Sequence, residues 1–81
     1  MTHQAASMLT PGDLVAIYVP LHGREIYAVV VDGGLVGILL RFDGGIDRRY
    51  TFSELTDDRY RPIFREAILR LKRAQDERRT Q

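Results

Sequence analysis

Arg48, Arg49 and Tyr50 follow one another directly, and Arg65, Arg70, Lys72 and Arg73 crowd the last quarter of the chain. Arginine carries a planar, permanently charged fork that matches phosphate and carboxylate oxygens two at a time. Two guanidiniums beside an aromatic ring are the composition with which proteins hold nucleic acid, through phosphate contacts and base stacking. The charge distribution points the same way. Residues 1–58 hold four basic and eight acidic side chains, a net −4, whereas residues 59–81 hold eight basic and three acidic, a net +5. A charge split of this kind favours contact with a polyanion, although solvated helix faces are commonly charged for solubility alone.

Other chemistry is thinly represented. There are no cysteines, which removes disulfides, thiol catalysis and zinc knuckles, and fits a reducing cytoplasm. His3 and His22 stand apart and without a cluster of acids, so neither a metal site nor a His-based triad is expected, and no cofactor is implied. Asp32, Asp43 and Asp57 occupy positions where turns and helix starts prefer aspartate. The run Gly33-Gly34-x-x-Gly37 has the composition of a phosphate loop but no helix after it to bind the anion. No window approaches the roughly 18 apolar residues of a membrane span, and the first ten residues lack the pattern of a signal peptide, so a soluble cytoplasmic protein is expected.

The elements that must carry these residues are short. Leu35 to Phe42 is nearly unbroken apolar chain between two copies of one turn signal, Asp32-Gly33-Gly34 and Asp43-Gly44-Gly45, and reads as a strand with an antiparallel neighbour on each side. Val36, Ile38, Leu40 and Phe42 share one face of it, Leu35, Gly37, Leu39 and Arg41 the other. Residues 14–19 form a strand ended by Pro20, and residues 25–32 form the next, whose core face periodicity leaves undecided. Residues 47–52 form a fourth, placing Arg48, Tyr50 and Phe52 together, followed by a turn of 3₁₀ helix at Ser53-Glu54-Leu55. Residues 1–10 read as a flexible arm and 56–61 as polar linker. Pro62 suits the first position of a helix reaching about Arg78. In that helix Phe64, Ala67, Ile68, Leu71 and Ala74 follow the spacing of an apolar stripe, with Leu69 on the polar flank, so Ile68 and Leu71 are expected to cover the Leu35/Leu39 face of the sheet.

The combination Gly12-Asp13, a strand ending in Tyr18, Tyr27-Ala28-Val29-Val30, and an apolar strand closing on Phe42-Asp43-Gly44 resembles the Tudor-like branch of the small SH3-like barrels over about residues 11–55. The resemblance implies a mainly β fold, a small antiparallel barrel of four or five strands spanning 11–58, followed by a basic amphipathic helix at 59–81 packed on it. Tudor domains hold methylated lysine or arginine in an aromatic cage. Carried over, that cage would comprise Tyr18, Tyr27 and Phe42, with Asp47 at the polar position.

A second resemblance is to MazF-type toxin ribonucleases, through Gly12, Asp13, Pro20, Gly23 and Glu25. Ile26-Tyr27 stands where those enzymes carry an Arg-Pro pair, so catalysis is not expected. The reading from sequence is a non-catalytic adaptor or binding module. Its expected partner is nucleic acid, met at Arg48, Arg49, Tyr50, Arg65, Arg70, Lys72 and Arg73. Binding to another protein, or to a second copy in a homodimer, is the alternative.

Overall fold

The structure, a computed structural model, describes residues 1–79, with the side chains of Ile68, Arg78 and Arg79 outside the described part. Five antiparallel strands form one sheet: β1 (Leu14–Val19), β2 (Arg24–Gly33), β3 (Gly37–Arg41), β4 (Asp47–Thr51) and β5 (Tyr60–Ile63), in the order β4-β3-β2-β1-β5. A short helix α1 (His3–Ser7) precedes them, a 3₁₀ turn (Glu54–Thr56) separates β4 from β5, and α2 (Arg65–Arg79) ends the chain. The sheet is not closed by hydrogen bonding, because β4 and β5 are its two edges.

β-rich alternation explains the strands, and register decides which face is inside. Pairing of Val15 with Ala28, Ile17 with Ile26 and Val30 with Leu40 puts these residues on one face, where Val15, Ala28, Val30, Ile38 and Leu40 are buried. The opposite face of β2 carries Tyr27 and Val29, both exposed. That settles the ambiguity of residues 25–32.

The two Asp-Gly-Gly signals behave differently. At Phe42–Asp47 both Gly44 and Gly45 take positive φ, +87° and +81°, the conformation that a side chain disfavours. At the earlier one β2 bulges between Val30 and Asp32 and runs on to Gly33, with no positive φ at Gly33 or Gly34. Leu35 and Val36 consequently lie in the connection, almost wholly exposed at 99% and 75%.

Three expectations are corrected. The supposed flexible arm at residues 1–10 forms α1, capped by the Thr2 hydroxyl accepting from the Ala5 N–H at 3.1 Å, with Ala6 and Leu9 buried in the core. Five residues are too few for a periodic apolar signal. Pro62 does not start a helix but sits in β5 opposite Val15, where an edge strand tolerates its missing N–H. Finally, the described stripe residues of α2 do not pack on the sheet, and the expectation for Ile68 lies outside the described residues. Leu71 stays 66% exposed, and every described side chain from 65 to 77 is exposed. The Leu35/Leu39 face is not the strand surface expected, because Leu35 lies in the β2–β3 connection at 99% exposure, while the inner face is filled by Ala6, Leu9, Phe52 and Leu55.

What holds the start of α2 is Asp13, a buried carboxylate. One of its oxygens accepts the backbone N–H of Arg65 at 2.8 Å, and the other accepts the backbone N–H and the hydroxyl of Thr10 at 2.9 and 3.2 Å. It satisfies a first-turn donor of α2 from 52 residues away. Asp13→Ala is expected to cost about 1–3 kcal/mol by stranding these donors, with a smaller loss for Asp13→Asn, which keeps an acceptor oxygen. Urea unfolding followed by circular dichroism reads both, and an unmoved midpoint for Asp13→Ala would contradict the cap.

Candidate functional site

The inner face of the sheet ends in an aromatic run. Ile17 pairs with Ile26 on one side and Tyr60 on the other, while Ile38 pairs with Tyr50 and Leu40 with Arg48. Period-two alternation therefore sends Tyr60, Tyr50 and Arg48 to the same side as the core. The Phe42 and Tyr50 rings lie 6.3 Å apart, tilted by 50°, and the Tyr50 and Tyr60 rings 5.9 Å apart at 61°. Tyr50 on β4 and Tyr60 on β5 thus meet across the gap between the two edge strands. Both separations lie in the range where aromatic quadrupoles attract.

Beside these rings is a cavity of about 370 Å³ lined by Ile17, Ile26, Phe42, Ile46, Arg48 and Tyr50. Its walls are apolar except for the one guanidinium and the phenol. Burial pushes the Tyr60 phenol above its ordinary value, helped by Tyr50 and opposed by Arg59, so it remains a neutral hydrogen-bonding group at neutral pH. Partly buried rings with one apolar wall and one cation can take a flat, electron-rich group against a ring while its anionic part meets the guanidinium.

The basic residues do not make one patch. Arg48 faces the aromatic run, whereas Arg49, opposite Leu39, projects from the outer face. Neither enters an ion pair among the described residues. Four others are engaged, among them Arg59 with Asp57 at 3.3 Å, Arg61 with Glu25 at 3.0 Å, and Arg70 with Glu66 at 3.3 Å. Arg41 pairs with Asp47 at 2.8 Å, which holds the Asp47 carboxyl below the usual carboxylate range and removes it from the polar position of a cage. Arg65, Arg70, Lys72 and Arg73 lie on exposed α2, which leaves the sheet at the Ile63 end of β5. Tyr60, three residues back and opposite Ile17, is about 10 Å away along the strand.

The cage residues carried over from the Tudor resemblance are also separated. Tyr18 and Tyr27 sit on the outer face of β1 and β2, 46% and 55% exposed, while Phe42 packs toward Tyr50 on the inner side. The three rings are not brought together. Tyr60 is the member that sequence reasoning missed, because residues 56–61 read as linker; the alternation Tyr60, Pro62 opposite Ile17, Val15 was the available signal.

His3 lies edge-on to Phe52 at 5.5 Å and His22 sits in the β1–β2 turn, so the two histidines belong to different parts of the fold. Among the described residues no helix is long and apolar enough to cross a membrane. Compared with protein-family models, with curated proteins and with solved structures, the chain matches none.

Proposed function

We propose that the chain is a non-catalytic binding module of the SH3-like, Tudor-like barrel type, and that its ligand is single-stranded nucleic acid. The barrel reading is supported by five antiparallel strands of which the last pairs with the first, and by the contact of the two edges through Tyr50 and Tyr60. The ligand reading rests on one observation: Phe42, Tyr50 and Tyr60 form a continuous aromatic run with Arg48, which makes no ion pair among the described residues, on the same side of the sheet. Bases stack on the exposed parts of these rings and Arg48 meets a phosphate. Lys72 and Arg73 on α2, together with Arg49, Arg65 and Arg70, add a salt-screened attraction at a distance rather than a second stacking site.

Fluorescence anisotropy with a labelled single-stranded oligonucleotide tests this. Tyr50→Ala should weaken binding by about 1–3 kcal/mol, the range for one stacked base. Arg48→Gln should reduce the dependence of log affinity on log salt by about 0.7, the value for one neutralised phosphate of a single strand. The oligonucleotide should remain intact throughout, since Ile26-Tyr27 replaces the arginine that a toxin ribonuclease would use. No measurable binding at low salt would overturn the nucleic-acid reading and leave a protein ligand for the aromatic run.

A further inference from the structure

The cavity beside the aromatic run is one-sided in its polar chemistry. Of the side chains that line it, Ile17, Ile26, Phe42 and Ile46 are apolar, and only Arg48 and Tyr50 carry polar atoms. No carboxylate or amide side chain stands among them. Arg48 makes neither an ion pair nor a side-chain hydrogen bond among the described residues, so its guanidinium is available to a ligand. Arg48 lies opposite Leu40 and Tyr50 opposite Ile38, on the same face of β4. Same-face neighbours on a strand are about 7 Å apart, so a base lying on the Tyr50 ring has Arg48 at its edge.

A guanidinium offers more N–H donors than one phosphate uses, and no acceptor. The donors left over face the edge of the base. They are matched by an edge with two adjacent acceptors, which guanine supplies with O6 and N7. Adenine sets its amino donor beside N7, against a group that only donates, and the Tyr50 phenol oxygen is the one side-chain acceptor nearby. Cytosine has neighbouring acceptors in N3 and O2, but they lie between its amino donor and the sugar. Thymine and uracil offer single carbonyls separated by an N–H.

We propose that the cavity selects guanine: the base stacked at Tyr50 is guanine, and Arg48 donates to its O6 and N7 while it holds the adjoining phosphate. This rests on the nucleic-acid reading and adds a base preference to it, which stacking alone does not give.

Fluorescence anisotropy at one low salt concentration tests it, with labelled oligothymidine strands identical except for one central base. A single guanine should tighten binding about tenfold over the all-thymine strand, within the range for one bidentate arginine–guanine contact. Hypoxanthine, which keeps O6 and N7, should do the same. 7-Deazaguanine keeps the ring face and O6 but lacks N7, and should lose most of the gain, as should adenine and cytosine. Arg48→Gln changes an exposed residue of an edge strand, so its thermal midpoint should stay near the parent's, and it should bind the guanine strand no more tightly than the all-thymine one. Equal binding of every strand by the parent, a gain from 7-deazaguanine as large as that from guanine, a preference for another base, or a guanine preference that survives Arg48→Gln overturns the proposal and leaves the nucleic-acid reading standing. If the parent binds none of the strands, both fall.

Discussion

Gly37→Ala is expected to destabilise the protein by about 3 kcal/mol or more, the upper range for forcing atoms into a packed site. Gly37 lies in β3 opposite Thr51, and a Cβ there would fall against the carbonyl oxygen of Tyr50 and 2.9 Å from the Thr51 Cα. These are backbone atoms of the neighbouring strand, so no side chain can rotate away to make room. Gly45→Ala is the instructive control. A Cβ at Gly45 meets nothing within 4 Å, and the cost there comes from φ +81° alone, about 1–2 kcal/mol. Equilibrium urea unfolding of the two variants should therefore rank Gly37 well above Gly45. Equal midpoints would mean that β3 and β4 do not approach in this register.

The second large effect is Leu40→Ala, with an expected loss of about 2–5 kcal/mol for a cavity at a fully buried leucine. A chain of this length has roughly 4–12 kcal/mol of stability in all, at about 0.05–0.15 kcal/mol per residue, so this variant approaches the limit of folding. The same truncation at Leu71, which is mostly exposed, should stay within about 0.5 kcal/mol in dilute solution. Thermal unfolding of both reads the contrast. A Leu71→Ala variant as damaged as Leu40→Ala would put the stripe of α2 back on its own sheet.

The two faces of the sheet differ in what they present. Phe42, Tyr50, Tyr60 and Arg48 look inward to the open end of the curled sheet, while Tyr18, Tyr27 and Val29 look outward. Alternation along a strand makes this separation automatic: Arg48 and Arg49 are adjacent in sequence and diverge in space. A contiguous Arg-Arg-Tyr triplet is therefore a poor unit for describing a binding surface on a strand. Arg48 with Tyr50 is a better one, and that pairing was already legible in the spacing.

Local pattern by itself determined β1, at Leu14–Val19 as expected, the antiparallel β2, β3 and β4, the 3₁₀ turn after β4 and a C-terminal helix, because each rests on interactions between near neighbours. Alternation placed Ile38 and Leu40 on one side of β3, and glycine placed the β3–β4 turn. Tertiary structure alone decided four things. It chose the core face of β2, since β-branched and aromatic residues stand on both sides of that strand and only register with Val15 and Leu40 separates them. It made a strand of Tyr60–Ile63, which is too short and too polar to announce itself and gains its ladder from β1. It folded residues 3–7 into a helix on the inner side of the sheet, where Ala6 joins the core beside Leu9, Phe52 and Leu55. It also assembled Phe42, Tyr50 and Tyr60 from three separate segments, a meeting that depends on how far the sheet curls before its edges approach.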